Sequence, residues 1–337
     1  MILPLKKSAN TVIILSLPFN EKHLLEILYC GPTGPKEEPA MPKTAVFPLR
    51  RLGALSPAGA TGCMLLCGVL WSFGGLFVKL LPWHPVVISG ARGLIACLSL
   101  LAFCKAAKIP VRLTGRGVLG GAFLCATLLS YVLATKLTTA ANAIVLQYTS
   151  PVFVMLLCAL IYRQRPRGAD MLVVLVTLSG IALFFLEQLT PGGLAGNLVG
   201  ILSGVANASF YVYCANACKE ESGPFGVIIL GQGMTFLVSL PFWFLAPPVL
   251  GAAQIGSILF LGLVQQTLPY ILYAYAIRRC PALTASLVSV AEPLLNPLWV
   301  LLAVGERPGT LSLIGAGVVL LAVTAWCLNN QRLGAKV

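Results

Sequence analysis

The sequence predicts an all-α integral membrane protein, its ten transmembrane helices arranged as two inverted five-helix repeats. Three observations predict it. Of the 337 residues, 58% are hydrophobic and only 10% charged, where an ordinary soluble domain carries about 25% charge. The apolar residues gather into ten runs, each near the ~20 residues that cross a bilayer as a helix. Finally, two stretches 142 positions apart (293 − 151) share a pattern. Ala140, Ala143, Pro151, Arg165 and Pro166 of the first correspond to Ala282, Ala285, Pro293, Arg307 and Pro308 of the second.

Residues 1–57 differ from the rest, with eight prolines, seven basic and four acidic residues. Their apolar run TVIILSLPF is too short to span a bilayer, and no small-residue cleavage site follows it. This segment reads as a poorly ordered cytoplasmic tail. The first repeat, 58–190, places spans at about 58–81, 84–104, 116–136, 139–161 and 168–187. The second, 191–330, places them at about 195–217, 225–246, 255–277, 282–304 and 311–328. The connections are short and rich in Pro and Gly (LPWHP, TPGGLAG, GERPGT), so neighbouring helices run antiparallel.

Charge sets the orientation. If the first run leaves the cytoplasm, Lys43, Arg50, Arg51, Lys105, Lys108, Arg112, Arg116, Arg163, Arg165, Arg167, Lys219, Arg278, Arg279, Arg332 and Lys336 all fall on the cytoplasmic side. Lys136 and Arg307 fall on the other. The positive-inside rule then puts both termini in the cytoplasm. Five spans per half is an odd number, so the second half enters the membrane inverted relative to the first. Such pairs are common in secondary transporters, with the binding site near the midplane between the repeats.

Glu292 is the acid placed deep within an apolar span, where a carboxylate costs about 2.5–3.5 kcal/mol. Ser286, Ser289, Glu292 and Asn296 follow three- and four-residue steps and share one helix face. Ser203, Asn207 and Tyr211 do so in the sixth span, Gln266, Tyr270 and Tyr273 in the eighth, and Thr127 and Tyr131 in the third. Trp71, Tyr131, Gln147, Asn207, Tyr211, Gln266 and Tyr270 are therefore candidate substrate-binding residues. The plainer alternative is that such stripes hydrogen-bond helix to helix, at about 0.6 kcal/mol per bond. Arg92, in the second span, has three options: to snorkel to the surface, to pair with Glu292, or to bind an anionic group of a substrate. Pro151, Pro293 and Pro297 each remove a backbone donor and are candidate helix breaks or hinges. Pro241 and Pro269 interrupt their spans likewise, whereas Gly196, Gly200 and Gly204 form a small-residue packing face.

Other functions find no support. The net charge of +13 is dispersed in loops, without the basic face that nucleic acid requires. The cysteines have no CxxC pairing and no nearby His to make a metal site. No HExxH, P-loop or GxSxG is present, so neither enzymatic catalysis nor a cofactor is expected, and any driving energy would come from an ion gradient or the solute's own.

Ten spans in two inverted halves, with QYTSPVF in the fourth span, AEPLLNPLW followed by GERP in the ninth, and ISGARGLIA in the second, resemble the EamA-type carriers of the drug/metabolite transporter superfamily. The resemblance covers about 58–328. In the first half YRQRP stands where the second has GERP, so Gln164 replaces the acid. The resemblance implies a multi-pass inner-membrane protein, in contact with the lipid bilayer, that moves small metabolites, often amino acids or related compounds, outward. On this reading Glu292 exchanges a proton or balances Arg92, and the protein works as a monomer or homodimer. An uncoupled facilitator or a channel for small polar solutes is the alternative.

Overall fold

The structure, a computed structural model, describes residues 57–113, 115–162, 168–187, 191–217, 225–276 and 291–334. Every regular element among them is helical. The tail, the start of the ninth span with Ser286 and Ser289, Gln164 with its neighbouring arginines, Lys219, Arg278 and Arg279 lie outside the described residues.

The ten apolar runs all carry helix, but among the described residues two of them are broken and a third changes pitch, each where the local chemistry disfavours a continuous α-helical ladder. The first consists of α1 (Pro57–Ser72) and α2 (Gly74–Leu80). At the junction the Ser72 hydroxyl donates back to the Val69 carbonyl at 2.6 Å, and a Gly-Gly pair follows. α3 (Pro85–Ala106) begins on a proline, which suits a first helical position because its missing N–H would be unpaired there anyway. α4 is Gly115–Leu137. The fourth run splits into α5 (Ala140–Gln147) and α6 (Ser150–Tyr162). Pro151 has no N–H for the Gln147 carbonyl, and the chain tightens through Tyr148 and Thr149, the Val152 amide donating to the Thr149 carbonyl at 2.9 Å. α7 (Gly168–Glu187), α8 (Pro191–Ala217) and α9 (Phe225–Leu245, with Pro241 inside) are continuous.

The eighth run changes pitch instead of breaking. α10 (Ala252–Leu259) passes through a π-helical segment, Phe260–Thr267, into α11 (Leu268–Ala276). Pro269 leaves the Gln265 carbonyl without its α-helical donor, and the Thr267 hydroxyl donates five residues back to Gly262 at 2.7 Å. π-turns of this kind often mark functional positions. The described part of the ninth run is α12 (Ala291–Val304), and α13 (Thr310–Gly334) closes the chain. Pro293 therefore sits in the first described turn of α12, with Pro297 inside the helix.

Which helices touch follows a pattern. α4 packs on α8 as α11 packs on α1, and α4 on α9 as the π segment packs on α3. α5 and α6 pack on α8 as α12 packs on α1 and α2. The pairs α3–α9, α7–α13 and α5–α12 map onto themselves. Exchanging the first five runs for the last five leaves this set of contacts unchanged.

Polarity is arranged inside out. Phe244, Leu245, Leu160, Leu321 and Leu302 are among many large apolar side chains that are mostly exposed, whereas Arg92, Asn142, Asn197, Gln232 and Asn296 are buried. Such a surface fits hydrocarbon, not water. Five helices (Pro85–Ala106, Gly117–Leu137, Gly193–Phe210, Phe225–Leu245 and Ala252–Ala274) are long and apolar enough to cross a membrane. Leu65–Leu80, Met171–Leu183, Glu292–Val304 and Thr310–Ala322 are shorter apolar helices. This is a membrane protein.

Candidate functional site at the helix breaks

The irregular segments of the first, fourth and eighth runs gather near α12, and the polar side chains gather with them. Glu292 lies in the first turn of α12, where the helix dipole favours a carboxylate. It accepts a hydrogen bond from the Tyr148 hydroxyl at 2.8 Å. Tyr148 is the C-cap of α5, so this contact joins the break of the fourth run to the first described turn of α12. One turn on, Asn296 is fully buried and donates to the Tyr131 hydroxyl of α4 at 3.0 Å. Its carbonyl oxygen has no partner among the described residues.

Close approach here depends on two glycines. A Cβ on Gly75 would overlap the Asn296 amide, and one on Gly74 would come within 2.8 Å of the Gln265 amide nitrogen. Through this gap a chain of amides crosses the bundle. Gln232 of α9 donates to Gln266 at 2.9 Å, Gln266 to Gln265 at 3.1 Å, and Gln265 to the Trp71 carbonyl at 3.4 Å. The π-turn is what lets the adjacent Gln265 and Gln266 both face inward. Trp71 packs edge-on against Tyr270, ring centroids 5.8 Å apart, and near Tyr273 at 6.3 Å. Both Trp71 and Tyr270 are half-buried. The Trp299 indole donates to Ser72 at 2.9 Å and stacks on Phe73, so the bend of the first run is held by α12.

Arg92 is 1% exposed. One terminal nitrogen, Nη2, reaches the Leu128 carbonyl at 3.4 Å, the same carbonyl that accepts from Ser89 at 3.3 Å. Nε and Nη1 have no hydrogen-bond partner among the described residues.

The sequence of this protein matches the EamA-like transporter family twice, over residues 60–186 and 194–326. The chain belongs to that family. A transporter of Archaeoglobus fulgidus, named only as uncharacterized, is 28% identical over 270 residues, 78% of this chain and 94% of its own. An uncharacterized inner membrane transporter of Salmonella typhimurium, YicL, is 27% identical over 70% of this chain and 74% of its own. The uncharacterized transporter YdfC of Bacillus subtilis is 29% identical over 74% and 84%. A solved crystal structure, 19% identical, superposes on 82% of this chain and 99% of its own with a TM-score of 0.57, a likeness of fold.

In this EamA chain the residues singled out by sequence divide into three groups. Trp71, Tyr131, Gln266, Tyr270, Glu292 and Asn296 belong to the polar core just described. Gln147 and Asn207 join helices instead: Gln147 donates to Ser203 at 3.0 Å, and Asn207 to Ser150 at 3.4 Å. The side chains of Tyr211 and Pro151 lie outside the described set, their backbones being helical. Arg92 neither snorkels nor pairs with Glu292. Its burial excludes the first, and the second fails because Glu292 turns to Tyr148 while Arg92 leans on the α4 backbone. Tyr148, Gln232 and Gln265 escaped selection. Tyr148 stood in the quoted QYTSPVF stretch, but no helical periodicity could mark a residue at a break.

A second polar group lies at one end of the bundle, on the connections that follow α2, α4, α9 and α12. Glu306 of GERP bridges to Lys79 of α2 at 2.6 Å and accepts the Ala140 amide, the first of α5, at 2.7 Å. Gly305, with φ 74°, makes the turn that aims it, and the Gly305 amide closes α12 on the Leu301 carbonyl at 3.0 Å, an arrangement that needs a left-handed residue after the helix. Lys79 also donates to the Thr138 carbonyl at 2.9 Å, and Lys136 to that of Leu81. Trp83 donates to the Val249 carbonyl at 2.9 Å. Lys79 is thus a strap between the two repeats.

Proposed function

We propose that the protein is a secondary active transporter that exports small metabolites, such as amino acids or related compounds, by alternating access. Ten helices cross the inner membrane as two inverted repeats, both termini in the cytoplasm, and rock about a midplane cavity walled by the polar core. The single observation that carries this reading is the Tyr148–Glu292 contact, 2.8 Å between two symmetry-related runs at the break of the fourth. A proton-carrying group sits where the two halves meet and where the backbone of the fourth run is already interrupted. Substrate or helix movement that takes Tyr148 from Glu292 changes the carboxyl's surroundings, which is the requirement for coupling proton release to a change of state.

The exchange symmetry of the helix contacts supports two alternating states, since inverted halves can swap conformations. The excess of basic residues on one set of loops supports the orientation, which makes the Lys79–Glu306 end the outer one. Solute is moved without a covalent step, and Trp71, Tyr131, Gln266 and Tyr270 contact it, with Pro151, Pro293 and Pro297 at the moving joints. Gln147 and Asn207 hold α8 against the fourth run beside it.

The test begins with metabolite profiling of medium from cells with and without the protein. The compounds that accumulate are then followed in vesicles under an imposed pH gradient. Glu292→Gln is expected to abolish the pH-driven component while leaving exchange of solute for solute. Undiminished pH-driven flux in that variant removes the coupling role, and flux that never saturates with solute replaces the carrier by a channel.

A further inference from the structure

We infer that Arg92 is the docking point for a carboxylate, and so that the transported compounds are organic acids presenting one carboxylate group. The inference rests on the transporter reading above and names its substrate class.

Among the described residues Arg92 is the largest fully buried side chain. A guanidinium carries five N–H donors in one plane and stays charged. Here one carbonyl at 3.4 Å takes a share of one nitrogen, and Nε and Nη1 are unpartnered among the described residues. A buried cation without a counter-ion is unfavourable by several kcal/mol, so a protein retains one where an anion arrives. Among the described residues no carboxylate pairs with it: Glu292 accepts from Tyr148, and Glu306 is held by Lys79 and the α5 amide. The Tyr131 and Tyr270 side chains lie within electrostatic range of the guanidinium, and Tyr270 packs edge-on against Trp71. Charge is therefore at the bottom of the core, beside an aromatic wall for the apolar remainder of a solute.

Two features select a carboxylate over other anions. The planar donor fork matches a planar two-oxygen acceptor. One cation neutralises one negative charge, whereas a phosphate monoester would leave a residual charge in a low-dielectric site.

Full-length protein in lipid nanodiscs is to be titrated with aliphatic and aromatic carboxylates, phenylalanine and 3-phenylpropionate among them, beside their primary amides and phenyl phosphate. Tryptophan fluorescence and the thermal unfolding midpoint give the readout. Carboxylates are expected to bind at least tenfold more tightly than their amides and than phenyl phosphate. Arg92→Lys is expected to retain part of that preference, and Arg92→Gln to erase it. If Arg92→Gln does not purify as a single species, the wild-type comparison of acids with amides decides alone. Equal binding of acids and amides, a surviving preference for acids in folded Arg92→Gln, or no binding by any carboxylate overturns the inference. The transporter reading fails separately, if vesicles holding the protein move none of the compounds that bind it. Export of neutral solutes independent of Arg92 sinks the carboxylate site and leaves the transporter standing.

Discussion

Glu306 gives the most direct measurement of what holds one end of this bundle shut. It makes two charge-assisted contacts, to Lys79 Nζ at 2.6 Å and to the Ala140 amide at 2.7 Å. Such bonds contribute about 1.5–3 kcal/mol each. The Lys79 and Glu306 side chains are 16% and 21% exposed, so screening by water puts the ion pair at the low end, about 1–2 kcal/mol. In Glu306→Gln the amide oxygen still accepts from Ala140, and only the ionic part is lost. In Glu306→Ala both contacts go, at about 3 kcal/mol together. Since 1.4 kcal/mol is a factor of ten, exchange at the Ala140 amide should accelerate about tenfold in the first variant and about a hundredfold in the second. Hydrogen exchange with mass spectrometry on peptides spanning residues 137–148 reads this, with peptides from α3 as the reference. Unchanged exchange in both variants refutes the strap. So does an equal acceleration in α3, which would mean general loosening.

Three further outcomes follow from the core. Gly75→Ala forces a methyl into the Asn296 amide, and overpacking of this kind costs about 1–3 kcal/mol; a lowered thermal midpoint in detergent checks it, and an unchanged one refutes the close approach. Tyr148→Phe removes the donor to Glu292 while keeping the ring, so the pH profile of flux should move while the unfolding midpoint changes little; an unmoved profile disconnects the two residues. Asn197→Leu breaks the buried set in which Asn142 donates to Thr138 and to Asn197 at 3.3 Å each, leaving buried donors unpaired at about 1–3 kcal/mol, and is expected to lower the thermal midpoint without altering substrate preference.

What could be read from the sequence was whatever follows from regular helix. Composition and run length placed the described helices within the predicted runs, and the three- and four-residue steps put Asn296 and Tyr270 on inward faces. Irregular backbone was less visible. Pro151 and Pro269 announced local disruption, but proline chemistry does not say whether a helix will break, as between α5 and α6, or widen into a π-turn, as before Pro269. Consequently Tyr148 and Gln265, which lie in those segments, fell off the periodic stripes. The Arg92–Glu292 pairing failed for a related reason. Similar depth along two helices says nothing of the angle at which each side chain leaves its axis, and the Glu292 carboxylate takes its hydrogen bond from the Tyr148 hydroxyl.

The duplication suggests a last experiment. Swapping the halves maps Glu306 onto Gln164 and Glu292 onto Ser150, so both acids of the ninth run face neutral groups in the fourth. With identical halves, the states open to either side would be equal in energy, because each end would be sealed by the same contacts. An ionic strap that this exchange does not reproduce shifts that balance by its own magnitude, about 1–2 kcal/mol, which is a five- to thirtyfold bias toward closure at the Glu306 end. Gln164→Glu installs a carboxylate at the equivalent place in the other half. The expected result is that labelling of a cysteine introduced next to Lys79 by a membrane-impermeant maleimide rises severalfold, as the resting population shifts toward opening at that end, and that Glu306→Gln alone gives a rise of the same sign. If Gln164→Glu leaves labelling where it was, the strap does not set the resting state, and its contribution is confined to local packing at the Glu306 end.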